Sequence, residues 1–115
     1  MSESPCPFCE IAAGRAPAAI VGDWPDALAI RPLNPVVPDH LLVIPRVHVA
    51  HALTDPIVTG AVMARAAGLG QLIGCDLNLI TSVGPAATQT VRHLHIHIVP
   101  RVEGDGLALP WTGQS

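Results

Sequence analysis

Aromatic residues are scarce in this chain of 115 residues: one Phe, two Trp and no Tyr. That leaves little to stack along a nucleic-acid strand. A basic patch is missing too. The six Lys and Arg residues are scattered and the net charge is -3, which argues against a nucleic-acid polymer as partner. No apolar run reaches a spanning length, because Arg65 interrupts the longest helical candidate, near Pro56 to Ala64; no membrane partner is expected. The opening MSESPCPFCE lacks the basic start and apolar core of a signal peptide, so the expected location is the cytoplasm. With only three cysteines there, metal binding or free thiols are favoured over disulfides.

Aliphatic residues are plentiful. Half the chain is hydrophobic, mainly Ala, Val, Leu and Ile. The length suits one domain over 1–115, burying roughly 60–70% of its unfolded surface. Residues 1–5 read as a loose tail and 102–115 as an irregular one in which Trp111 packs somewhere. PFCEIAAGRAPA predicts a short helix ended by Gly14. AIVGDW and ALAIRPL read as a hairpin, NPVVP as a rigid connector and HLLVIPR as a buried strand. From Asp55 to Gly74 the pattern is helical: Asp55 caps, Pro56 suits the first turn and Gly74 ends it. Ile57, Val58, Ala61, Val62, Leu69, Leu72 and Ile73 are expected to form its core face. DLNLITSVG and HLHIHIVPR follow as strands. Together these predict an α+β domain with an antiparallel sheet.

In HLHIHIV, side chains two apart on a strand share a face. His93, His95 and His97 therefore face one way, and Leu94, Ile96 and Ile98 face the helix. Histidine is uncommon, and near pH 7 its neutral ring can be nucleophile, base or metal ligand. Three in register mark a site more than a wet sheet face. An open metal site using all three is the competing reading.

CPFC puts Cys6 and Cys9 at a spacing common in zinc sites. A redox pair or two buried thiols fit the same letters. His48, His51 and His93 are the candidates to complete a zinc site. Cys75 has no evident partner and reads as a core thiol at the helix end.

These motifs together resemble the histidine triad (HIT) family, bacterial zinc-carrying type. HLHIHIV fits its His-x-His-x-His-x-x signature. NPVVPDHLLVIPRVHV, TQTVRHLHIHIVPR and CPFCEIAAGRAPA resemble its other segments, in order, over roughly residues 5–101. The resemblance implies a five-stranded antiparallel sheet with one main helix and a short N-terminal helix, usually as a homodimer. It implies hydrolysis or nucleotidyl transfer on nucleoside-phosphate-X substrates, with His95 as nucleophile. Zinc, in a structural role, maps to Cys6, Cys9, His48 and His93, which leaves His51 as a surface residue. His97, His40, Gln89 and Thr90 map to the phosphate site, and Phe8, Ile11, Ile30 and Leu33 to the apolar wall of a nucleotide pocket. No Mg is required by such chemistry, because a neutral imidazole attacks phosphate without adding charge.

Two positions depart from that pattern. Pro32 stands where the family has an Asp that bonds the ribose, with Arg31 beside it as a candidate phosphate or sugar contact. In the loop SVGPAATQ, Ser82 replaces Asn and can still bond a hydroxyl or phosphate. Thr88 replaces Gly, which predicts a different loop shape, since Thr resists conformations open to Gly. The lost ribose contact motivates a second reading: a nucleotide-binding or scaffold protein without useful catalysis.

Overall fold

The computed structural model describes residues 6–109; the expected tail at 1–5 and Trp111 lie outside the described residues. Proline and glycine set the ends of the helices, as the sequence predicts. Helix α1 (Pro7–Ala12) starts at Cys6, whose sulfur accepts from the Cys9 N–H at 3.4 Å. Gly14 follows it at φ 77°. Helix α2 (Pro56–Ile73) is capped by the Asp55 carboxylate, which accepts from the N–H groups of Ile57 and Val58. It ends at Gly74, which takes φ 70° at no steric cost.

Five strands complete the fold: β1 (Ile20–Asp23), β2 (Ala27–Ile30), β3 (Leu41–Pro45), β4 (Leu77–Ile80) and β5 (Ile96–Pro100). They form one sheet in the order β1-β2-β3-β5-β4, and every neighbouring pair is antiparallel. The last strand in the sequence thus lies between β3 and β4. Alternation sorts the two faces. Ala27, Ala29, Leu41, Val43, Leu94, Ile96 and Ile98 meet Val62 and Ala66 of α2. Leu28, Ile30, Leu42 and Ile44 face the other way, under Phe8 of α1. Leu42 pairs with His97 in register, so the histidines share the α1 side.

Four expectations are corrected. Strand β5 begins at Ile96 rather than His93, because Leu94 N–H bonds the loop carbonyl of Val49 at 2.8 Å instead of a strand. Ile57 and Leu72 are not core: both are 84% exposed. Helix α2 is apolar on all sides, so spacing alone does not single out its packed stripe; at about 100° per residue Ile57 falls opposite Ala66. Cys75 is exposed rather than a core thiol. Finally, α2 does have the length and composition to span a membrane, with 18 residues at mean hydropathy 1.3. It packs on β3, β5 and β4, and its Arg65 pairs with Asp26 at 3.0 Å.

Candidate functional site

The metal-ligand set assembles where α1 meets the loop after β3 and the approach to β5. One donor atom from each of Cys6, Cys9, His48 and His93 lies within 4.8 Å of all the others. His93 Nδ1 is 3.3 Å from Cys6 Sγ, 3.5 Å from Cys9 Sγ and 3.1 Å from His48 Nδ1. Cys9 Sγ is 3.3 Å from His48 Nδ1. Donors about 2.0–2.3 Å from an ion in tetrahedral array stand roughly 3.3–3.8 Å apart, so two thiols and two imidazoles fit a closed metal site. His93 Nε2–H donates to the Pro45 carbonyl at 3.0 Å, which leaves Nδ1 bare for a metal. His51 is not part of this cluster; its Nδ1 accepts from the Leu53 N–H.

The triad histidines have their tautomers set by their neighbours. His95 Nδ1 faces the His93 carbonyl at 2.8 Å. A carbonyl only accepts, so Nδ1 carries the proton and Nε2 carries the lone pair. His40 Nδ1 accepts from the Val36 N–H at 3.2 Å. Its Nε2–H is thereby directed at His97 Nδ1, 2.9 Å away, and His97 keeps its proton on Nε2. His95 and His97 ring centroids are 5.1 Å apart. The result is a bare imidazole nitrogen beside an imidazole N–H donor. Phe8 packs edge-on against both His93 and His95, at 5.7 and 5.2 Å.

Burial pushes His97 down to about 4, and the neighbouring His95 and His40 add to the shift. Burial also lowers His40. Both rings are therefore neutral at pH 7. The unfolded chain, with an ordinary value of 6.5, takes up these protons first. Stability from this source is intact above pH 6.5 and declines as pH falls toward about 4. The Tm of the wild type should fall between pH 7 and pH 5, and His97→Gln should show a shallower fall. Parallel curves would contradict this assignment.

The loop before β5 is braced rather than open. Gln89 is buried; its Oε1 accepts from Gly84 N–H at 2.8 Å, and its amide donates to the carbonyls of Ala50 and Val91 at 2.6 and 2.9 Å. Its carboxamide is committed to backbone groups, so its place is as a brace and not as a phosphate donor. Thr90 is exposed and Ser82 half-buried. Thr88 adopts the left-handed conformation at φ 70°, the region that Gly enters freely and threonine resists. A β-branched residue there costs about 1–3 kcal/mol, against roughly 0.5–1 kcal/mol of chain entropy for Gly. Thr88→Gly is therefore expected to raise Tm by a few degrees in a thermal scan; a lower Tm would show that the Thr88 hydroxyl, which bonds the Ala87 carbonyl, matters more.

The proposed apolar wall divides. Phe8 and Ile30 are buried and Ile11 packs beside them on the histidine side of the sheet. Leu33 is 97% exposed beyond β2. Arg31 does not join the triad. It lines a cleft of about 320 Å³ with Val21, Asp39, Leu41 and Ile73, next to residues that pack on the α2 side, so it is no phosphate contact for His95. Two contacts to the histidines were not foreseen in the sequence: the Val36 N–H to His40, which no sequence pattern marks, and the Thr81 hydroxyl, which donates to the His95 carbonyl at 2.9 Å and which a strand-end position alone did not single out.

The HIT domain family matches residues 13–104 of this chain. A HIT-like protein of Mycobacterium tuberculosis is 37% identical over 112 residues, covering 91% of this chain and 77% of that protein. An adenosine 5′-monophosphoramidase of Saccharomyces cerevisiae is 31% identical over 116 residues, covering 97% and 73%. Among solved structures, a HIT family hydrolase from Clostridium thermocellum superposes with a TM-score of 0.79 at 30% identity, covering 94% of this chain and all of that one. With the sheet order, the His-x-His-x-His strand and the matched span in agreement, the chain belongs to the HIT family.

Proposed function

We propose that this protein is a hydrolase or nucleotidyl transferase acting at the α-phosphate of nucleoside-phosphate-X substrates, through a nucleotidyl-histidine intermediate on His95. The observation that carries this reading is the bare Nε2 of His95, its tautomer held by the His93 carbonyl at 2.8 Å. That nitrogen attacks phosphorus, and X leaves with the bonding electron pair, taking up a proton from solvent. The ring, now cationic, keeps its Nδ1 proton on the His93 carbonyl. The N–H of His97 stabilises charge on the phosphate oxygens. Water then attacks phosphorus, the bond to Nε2 breaks with its electron pair returning to the ring, and the water's proton passes to solvent, which releases the nucleoside monophosphate and restores neutral His95. Splitting the displacement lowers each barrier.

Charge bears on the leaving group. All six basic residues other than histidine are arginines. Four are in ion pairs, with Glu10, Asp23, Asp26 and Asp105. Arg31 lies elsewhere, which leaves Arg92, next to the triad in sequence. A site with so few cations favours a singly charged phosphoramidate over a dinucleoside polyphosphate.

In the same reading the metal is zinc, held by Cys6, Cys9, His48 and His93 in a structural role, and the chain works as one cytoplasmic domain in a homodimer. Steady-state kinetics with adenosine and guanosine 5′-phosphoramidates beside a dinucleoside polyphosphate test it. A higher kcat/KM on a phosphoramidate supports the reading. A second reading, a nucleotide-binding protein without turnover, draws on Pro32 in place of the ribose-bonding Asp. It predicts nucleotide binding with no product from any of these substrates.

A further inference from the structure

We propose that Thr81 is a positioning residue for His95, holding the main chain of the nucleophile through its hydroxyl. The β4–β5 ladder ends at the pair Ile80 and His97, and β5 begins at Ile96. His95 therefore lies just outside the strand, yet it is only 7% exposed. A buried carbonyl there needs a donor. Thr81, the first residue after β4, supplies it: its Oγ1 donates to the His95 carbonyl at 2.9 Å. The His95 ring is held at its other end by the His93 carbonyl. One bond fixes the backbone and the other fixes the ring, so Nε2 points in one direction. Attack on phosphorus is sensitive to displacement of this kind, and an error of about 1 Å can cost about 10²-fold in rate. Thr81 acts through His95 and is not itself a catalytic residue.

A purely structural threonine at a strand end is replaceable by valine, which has the same shape and an equal preference for extended chain. The hydroxyl distinguishes the two roles. This inference rests on His95 being the nucleophile, so its test includes a readout independent of turnover. Wild type, Thr81→Val and Thr81→Ser are assayed with adenosine 5′-phosphoramidate, and the histidine rings are observed by ¹⁵N NMR. In Thr81→Val, kcat is expected to fall about tenfold with KM within about twofold of wild type. Thr81→Ser is expected to recover to within about threefold of wild type. The His95 ring should show one tautomer, protonated at Nδ1, in wild type and Thr81→Ser, and exchange-averaged signals in Thr81→Val.

Unchanged kcat and unchanged ring signals in Thr81→Val would overturn the proposal, as would a loss that serine fails to restore. Should valine not fold, Thr81→Ala carries the same comparison. If wild type itself turns over nothing, the functional reading fails, while the ring signals still decide the role of Thr81.

Discussion

Replacing His95 with alanine is expected to lower kcat on adenosine 5′-phosphoramidate by at least about 10³-fold, with little change in nucleotide affinity. The size of the effect follows from the role. No other described side chain offers a bare imidazole nitrogen at this place. His97 spends Nδ1 on His40, and His93 directs Nδ1 toward the thiols. Alanine also removes the bond to the His93 carbonyl and the edge contact with Phe8, so some stability is lost as well, about 1–3 kcal/mol. His95→Gln fills more of that space and separates the two effects. Both variants should be folded and inactive by circular dichroism and product release. Substantial turnover by either would assign the chemistry elsewhere.

The second large effect concerns the metal set. Cys9→Ser is expected to lose the metal that the four residues are placed to hold, lower Tm by roughly 10 °C or more and reduce turnover together with it. Helix α1 has only six residues, too short to hold itself in water, and Cys6 and Cys9 at its start are its tie to His48 and His93. Its Phe8 presses on His95, and His93 supplies the carbonyl that sets the His95 tautomer. Loss of metal thus reaches His95 by two routes. Burial, with the neighbouring Cys6, pushes the Cys9 thiol up, so a bound metal must displace its proton and affinity should weaken in acid. Metal content by plasma emission and Tm, on the same samples, check the prediction. A folded, metal-free variant with wild-type turnover would contradict it.

Much of this was legible because short-range chemistry settled it. Asp55, Pro56 and Gly74 name the ends of α2 through rules local to the chain. Two-residue alternation put Leu94, Ile96 and Ile98 against the helix, and the structure does the same. The cysteine pair and the three candidate histidines were visible, but choosing His48 and His93 over His51 needed the family pattern. What failed depended on the third dimension. Helix α2 is apolar all round, so its packed stripe is set by the sheet it meets. Gln89 reads as a donor in a line of letters, and only the folded loop shows its carboxamide committed to Gly84, Ala50 and Val91. Arg31 comes one residue after β2, and alternation carries it to the α2 side.

The central claim is a covalent bond between His95 and a nucleotide. The direct measurement is intact and peptide mass spectrometry after mixing excess protein with adenosine 5′-phosphoramidate and quenching in alkaline denaturant, since a phosphorus–nitrogen bond is labile in acid. An added adenylyl group on the peptide that carries His95, absent from His95→Gln, is the predicted result. AMP released at full rate with no adduct on that peptide at any quench time would contradict it, and would mean that water attacks the phosphate directly.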